Sequence, residues 1–414
     1  MPRDQLKEQT EGLIHEVTRR LVNSLQHRPE AVVLTGSFAR GEGSVLCERG
    51  RLQVLGDMEF MVFFAPGSNL AEQQRALNRR AETLRQELAA EQVDCEVEFS
   101  AVSTDYLRRL RPHIFGYELL NFGRTVWGCD EILNAAPVFM APEIPLWDAW
   151  RMLNNRLLEQ LQWPESLEQG NRETLDKLFY QLLKLYIDIG TTVLVFAGHY
   201  QGTYAGRANA LRSWAAVAQD QPEMKFLQTL ADRVAECTAY KLSPDATLCP
   251  LGLHVDSETE EWRVSLRRAT LEAVPLARAA WRWEAAVLAN CHLNPEIDDN
   301  TLRDLVLRTQ SWREKFRGWA KLVLMPAVRG QRGFFPRMAG LLHRGSPRYL
   351  IYCVASHLFF QLPELMDGAQ LRSENVENLL PVVFGKHEHE SRSWRGLRAN
   401  VLFGWRLFLR NDWA

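Results

Sequence analysis

Val32-Val33-Leu34-Thr35-Gly36-Ser37-Phe38-Ala39-Arg40-Gly41-Glu42-Gly43-Ser44 and, further on, Leu55-Gly56-Asp57-Met58-Glu59-Phe60-Met61-Val62-Phe63-Phe64 decide the reading of this chain. The first is an apolar run of strand composition that ends in a small Gly-Ser turn. The second opens with two carboxylates one residue apart and continues as an apolar run. Side chains at i and i+2 of a strand leave from one face, so Asp57 and Glu59 present two oxygen donors side by side. Mg²⁺ takes oxygen ligands and is commonly held by one or two carboxylates together with substrate phosphates. A Gly36-Ser37 turn leaves backbone N–H groups and one hydroxyl for phosphate oxygens. Two cations held in this way stabilise both the attacking and the leaving oxygen of an in-line displacement. These residues read as a site for nucleotidyl transfer.

A third acidic stretch follows. Val93-Asp94-Cys95-Glu96-Val97-Glu98-Phe99-Ser100 alternates strictly, with Val93, Cys95, Val97 and Phe99 on one face and Asp94, Glu96, Glu98 and Ser100 on the other. Carboxylates crowded on one strand face repel one another, and a cation in front of them removes that difficulty. Glu96 and Glu98 are both candidates for a third ligand, and parity does not separate them.

At these residues the chain resembles the DNA polymerase β-type nucleotidyltransferase superfamily. Its signature is Gly-Ser, a variable insert, acid–apolar–acid on a strand, and a third acid on a later strand. Here it reads Gly36-Ser37, then Gly56-Asp57-Met58-Glu59, and the match spans roughly residues 30–130. The insert from Glu42 to Leu55 is longer than in minimal members, and Glu59 replaces the commoner Asp. The resemblance implies an NTP substrate, ATP as the favoured donor, and Mg²⁺ or Mn²⁺ on Asp57, Glu59 and a third acid. The resemblance also implies that this third acid is the base that deprotonates the acceptor hydroxyl. Glu98 is favoured over Glu96 because its distance to Arg111-Pro112 and Glu118–Gly123 is similar to that in aminoglycoside nucleotidyltransferases. Gly36, Ser37 and Arg40 are then candidate phosphate contacts, with a surface salt bridge as the alternative for Arg40. Phe38-Ala39-Arg40 is expected to start a short helix whose N-terminus faces the phosphates. Tyr117–Gly128 looks like the closing helix-turn-strand of such a domain. Lys184, within Gln181-Leu182-Leu183-Lys184-Leu185-Tyr186, resembles the lysine on the helix after the catalytic domain in poly(A) polymerase-like members, where it approaches the triphosphate. A lysine snorkelling from a buried helix is the competing reading.

Composition sets the class. The 414 residues exceed one comfortable domain, and 46% hydrophobic with 24% charged is ordinary for a globular protein. A net charge of -2 and a pI near 6.6 give no global basic field, which disfavours nucleic acid as a partner. Seven scattered cysteines without a CxxC suggest reduced thiols. The polar start carries no signal-peptide pattern, and no apolar run is read as a membrane span. The expected setting is cytoplasmic.

The chain is expected to be α+β: a catalytic domain over 1–140, with a mixed sheet and flanking helices, followed by a mainly helical region. Helices are expected over 4–28 and 69–91, strands over 31–34 and 58–64, and a hairpin over 45–55 turning at Arg49-Gly50-Arg51. A helical segment over 141–245 is read as closing the nucleotide cleft, its strongest helix over 174–198. Tyr200–Arg207 reads as a Gly-rich loop, with Tyr204 a candidate for the nucleotide or acceptor pocket. Residues 262–414 form a helical domain without a functional reading, with helices near 262–292, 300–324, 347–362 and 390–410. The basic stretch Pro326–Arg348 reads as a solvated loop, and His387-Glu388-His389-Glu390 lacks the spacing of HExxH. The expected activity is transfer of an NMP from an NTP to a hydroxyl of a small-molecule or protein acceptor, with release of pyrophosphate. The alternatives are a non-catalytic protein of the same fold that binds or scaffolds, or a polymerase or second-messenger synthase of the same superfamily.

Overall fold

A computed structural model describes residues 3–48, 50–218, 221–244, 250–254, 257–293, 296–324, 334–366 and 393–408. The fold is α+β: among the described residues the five strands lie in the first third of the chain and the rest is mainly helical. It divides into two compact units that do not follow chain order. The first contains Met1–Asp148, Ala197–Leu211 and Arg233–Leu251; the second contains Ala149–Phe196, Arg212–Asp232 and Gly252–Ala414.

In the first unit, α1 (Arg3–Ser24) leads into β1 (Ala31–Leu34), the one-turn helix α2 (Gly36–Ala39) and β2 (Val45–Glu48). Then come β3 (Arg51–Phe64), α3 (Leu70–Ala90), β4 (Val93–Ser103), α4 (Asp105–Arg108), α5 (Ile114–Phe122) and β5 (Arg124–Gly128). β3 is the spine of a mixed sheet. β4 runs parallel along one of its edges, while β2 and β1 share the other, both antiparallel to it. β5 closes the sheet against β1, also antiparallel. The hairpin predicted over 45–55 is formed by β2 and β3. The strand expected over 58–64 begins earlier, at Arg51, because it continues straight out of that hairpin.

Both faces of the sheet are covered where the sequence is continuously apolar. Val32, Leu34, Phe60, Val62 and Phe64 pack with α1 and α3 through Val17, Leu21, Leu77 and Leu84. Ala31, Val33, Met61 and Phe63 pack on the other side against Leu107 and Leu119 of α4 and α5. A strand buried on both faces loses its alternation, and this accounts for the unbroken run Phe60–Phe64. β4 is buried on one face only: Cys95, Val97 and Phe99 point into the core while Glu96, Glu98 and Ser100 are exposed.

The second unit is helical. It is built from α6 (Leu146–Gln160), α7 (Trp163–Gln169) and α8 (Arg172–Phe196). It continues with α11 (Thr259–Leu288), α12 (Asp299–Thr309), α13 (Trp312–Leu324), α14 (Phe334–Leu342), α15 (Pro347–Phe360), α16 (Leu362–Met366) and α17 (Trp394–Phe408). Between these, α9 (Tyr204–Ala218) and α10 (Leu227–Leu242) cross from one unit to the other along the chain. α8 and α11 form the central pair, with Phe179 edge-on to Trp262 and Tyr186 donating to the Ala269 carbonyl.

Several expectations change. The basic stretch Pro326–Arg348, read as a loop, contains α14 over Phe334–Leu342, and Pro347 opens α15. α8 is long and apolar enough to cross a membrane by length and composition, contrary to the sequence reading, but 78% of its apolar window is buried inside the protein. The helix expected over 300–324 is two helices, broken at Gln310-Ser311, where the Ser311 hydroxyl accepts the Glu314 N–H and starts the next turn. The stretch Tyr200–Arg207 is a loop only as far as Thr203, since Tyr204 opens α9. His387–Glu390, Arg329 and Arg332 lie outside the described residues.

Candidate active site

β1 ends and the chain turns beside β3. Thr35 donates its N–H to the Glu59 carbonyl at 2.8 Å, and its hydroxyl reaches the same oxygen at 3.3 Å. The next residue, Gly36, has φ +66°, a left-handed conformation that side-chain-bearing residues avoid. A Cβ at Gly36 would run into the Glu59 carboxylate. The backbone angle calls for glycine, and the turn comes so close to the acid that an added Cβ would push the Glu59 carboxylate aside. Ser37 follows, half-buried, with its carbonyl accepting the Glu42 N–H at 2.8 Å.

Asp57 and Glu59 leave β3 on the face that Met61 and Phe63 bury farther along, but before the cover of α4 and α5 begins. Across the parallel pairing, Asp57 stands opposite Glu96 and Glu59 opposite Glu98. Laterally paired residues of neighbouring strands share a face, so the structure brings all four predicted carboxylates onto one patch of the sheet. The pairing slips just before it. Gln53 pairs with Asp94 and Asp57 with Glu96, so β3 takes four steps where β4 takes two. A bulge of this kind re-aims the side chains after it, and Asp57 is the first of them.

The donor set is all oxygen, without Cys or His, and suits a hard cation such as Mg²⁺ or Mn²⁺. Among the described residues, no three acidic, histidine or cysteine side chains converge on one point as they stand. The backbone supplies the register, and closure around a cation would require side-chain rotation.

Beside the turn lies a buried ionic network that the sequence did not disclose. Arg40 caps α2, and its guanidinium donates to Glu118 at 2.6 Å and to Glu42 at 3.2 Å. Glu118 also accepts from Arg207 and, at 2.7 Å, from the Tyr200 hydroxyl. Burial would raise the Glu118 carboxyl, but Arg207 and Arg40 hold it below the usual carboxylate range. The Glu42 carboxylate accepts the N–H groups of Tyr204 and Ala205, at the start of α9, where a negative charge is favourable. The Tyr204 ring has Arg40 at 4.8 Å, Lys241 at 5.0 Å and Arg207 at 5.1 Å from its centroid, a cation–π arrangement. These contacts tie residues 197–211 and 233–251 to the sheet, which explains how chain-distant segments join the first unit.

Of the residues expected at the site, Gly36, Ser37, Asp57, Glu59, Glu96 and Glu98 come together. Arg40 and Tyr204 meet each other in the adjoining network. Lys184 lies on α8 in the second unit, with its ammonium 5.2 Å from the Tyr180 ring. Glu42, Glu118 and Lys241 were not singled out, and their partners lie so far along the chain that no local pattern marks them. The chain matches no protein-family model, no characterised protein and no solved structure.

Proposed function

We propose that this protein is a metal-dependent nucleotidyltransferase that moves an NMP from an NTP to a hydroxyl of a small-molecule or protein acceptor. The carrying observation is the placing of a positive-φ Gly-Ser turn against Glu59, with Asp57 and Glu59 in register with Glu96 and Glu98 on the neighbouring strand. In this reading the N–H groups and hydroxyl of Gly36-Ser37 bind phosphate oxygens. Asp57, Glu59 and Glu98 would hold Mg²⁺ or Mn²⁺, which when bound supplies charge stabilisation to the attacking and leaving oxygens. Glu98, opposite Glu59, accepts the proton of the acceptor hydroxyl as its oxygen bonds to the α-phosphorus and the bond to pyrophosphate breaks. Glu96, opposite Asp57, is the alternative in that role. Arg40 is engaged by Glu118 and Glu42, and we assign it the support of the turn.

The test is the melting temperature of the purified protein with each NTP, with and without Mg²⁺ or Mn²⁺, beside Asp57→Asn. A ligand of the native state raises apparent stability by mass action. A metal-dependent rise selective for one NTP and lost in Asp57→Asn supports the reading and names the donor. No rise with any nucleotide would replace it with the non-catalytic one.

A further inference from the structure

The helix α13 (Trp312–Leu324) carries two ridges side by side. Trp312, Phe316, Ala320 and Leu324 follow one another at intervals of four, and the first three are each followed directly by a base, Arg313, Arg317 and Lys321. Residues four apart line up along one side of a helix, so an apolar row and a basic row run next to each other. The opposite side holds the helix to the protein. The buried Lys315 donates to the His343 carbonyl at 2.8 Å, the buried Trp319 indole donates to the Gly345 carbonyl at 2.9 Å, and Leu322 is fully covered. Gly318 lies so close to Ser346 and Pro347 that a Cβ there would crowd both.

This anchoring turns the two rows outward. Trp312, Phe316 and Leu324 are 65%, 67% and 69% exposed, and Arg313 and Arg317 are exposed beside them. Single apolar residues on a surface are ordinary, but a row of large ones along one helix marks a contact. The electrostatic setting is one-sided. Between Asp304 and Glu364 the sequence holds ten Lys and Arg against one acid, Glu314, in a chain of net charge -2. Glu314 is engaged at the start of α13, where it accepts the Ser311 N–H and hydroxyl. Asp304, on α12, lies towards Cys353 in the company of Arg303 and Arg344. Partial burial lowers the Lys321 ammonium, and Arg348 of α15 and Arg317 lower it further.

We infer that the outer face of α13 docks on a bilayer surface rich in anionic lipid, with Trp312, Phe316 and Leu324 entering the headgroup–acyl boundary and Arg313, Arg317 and Lys321 meeting the lipid phosphates. A helix that lies in a membrane interface divides its surface in this way, bulky apolar residues beside Lys and Arg, and a negative leaflet attracts such a basic cluster. A nucleic acid would engage the arginines through its phosphates but leave Leu324 in water. A second copy set against the same face would bring two basic rows together, which like charges oppose. The inference is independent of the reading of the site on the sheet.

The test is co-sedimentation of the full-length protein with vesicles of phosphatidylcholine, alone or mixed with phosphatidylserine, at low and high salt. Binding to the mixed vesicles only is expected, weakening as salt rises. Arg317→Gln should lower it about fivefold, the share of one basic residue near such a surface, and Phe316→Ser about tenfold or more. Both positions are exposed, so both variants should melt with the wild type; should Phe316→Ser melt early, Trp312→Ser takes its place. Arg108→Gln, which removes an exposed base of α4 in the first unit, should bind as the wild type does. No binding to the mixed vesicles, or equal binding to phosphatidylcholine alone, overturns the inference. So does binding that Arg317→Gln weakens and Phe316→Ser leaves untouched, since no apolar row then enters the bilayer, and so does an equal loss in Arg108→Gln. With vesicles unbound, binding of a single-stranded RNA or self-association that Phe316→Ser abolishes would assign the face to nucleic acid or to a second copy.

Discussion

Glu284, near the end of α11, is the most exacting group in the helical unit. It is fully buried, and neither carboxylate oxygen has a hydrogen-bond partner. The Thr192 hydroxyl, which would ease it slightly, donates instead to the Ile189 carbonyl at 3.0 Å. Burial pushes this carboxyl from 4.5 up to about 8, so the folded protein keeps it protonated through neutrality. The sign of the consequence follows from linkage. Below pH 4.5 the folded and unfolded chains both carry the proton, and its stabilising contribution is fully present. As pH rises towards 8 only the unfolded chain releases it, and stability falls by about 1.4 kcal/mol per pH unit. Three and a half such units come to roughly 5 kcal/mol, comparable with the whole stability of many domains.

His357 acts in the opposite sense. Its imidazole is depressed from 6.5 to about 4, so stability is lost as pH falls through that interval. Between 4.5 and 6.5 the two slopes oppose each other, and the interval from 6.5 to 8 isolates Glu284. Across it, urea-unfolding midpoints of the wild type should fall by the equivalent of about 2 kcal/mol. Glu284→Gln keeps the shape without the titration, and its midpoints should stay level over the same interval. A wild-type slope that survives unchanged in Glu284→Gln would refute the reasoning.

Gly36→Ala should cost about 1 kcal/mol or more from the left-handed backbone alone. It should also abolish the metal-dependent NTP response, because the new methyl displaces the Glu59 carboxylate; a wild-type response would show that the turn does not hold phosphate. Glu118→Gln leaves Arg40 and Arg207 buried without their shared carboxylate, and unfolding midpoints should report a loss of about 3–5 kcal/mol. A loss below about 1 kcal/mol would mean that water already serves both guanidiniums. Glu98→Gln and Glu96→Gln separate the two candidate ligands: the first should remove NMP transfer with little change in melting temperature, the second should leave most of it, and the reverse order would reassign the third carboxylate to Glu96.

The elements of the first unit were legible because their signals are local. Alternation over Val93–Ser100 gave a strand with one wet face, and the apolar run Phe60–Phe64 gave a strand whose burial on both faces only the structure shows. The bulge between Gln53 and Asp57 was not legible, since Val54-Leu55-Gly56 reads like any strand or turn and the extra residues exist only relative to β4. The break at Gln310-Ser311 was available in principle: Ser311 followed three residues later by Glu314 is a capping-box pattern, hidden within a longer helical periodicity. The apolar length of α8 was likewise in plain view, but whether such a helix meets lipid or protein depends on what packs around it, and here α11 does.

The candidate site divides along the same line. Gly36, Ser37, Asp57, Glu59 and the acidic strand were readable because their chemistry requires fixed spacings within one strand or one turn. Glu118, Arg207 and Lys241 lie 78, 167 and 201 positions beyond Arg40, and nothing near any of them announces a partner. Buried charges are specified by complement rather than by pattern: Arg40 is tolerable in the interior only because Glu118 and Glu42 reach it, and Glu118 only because Arg207 and Tyr200 reach it as well.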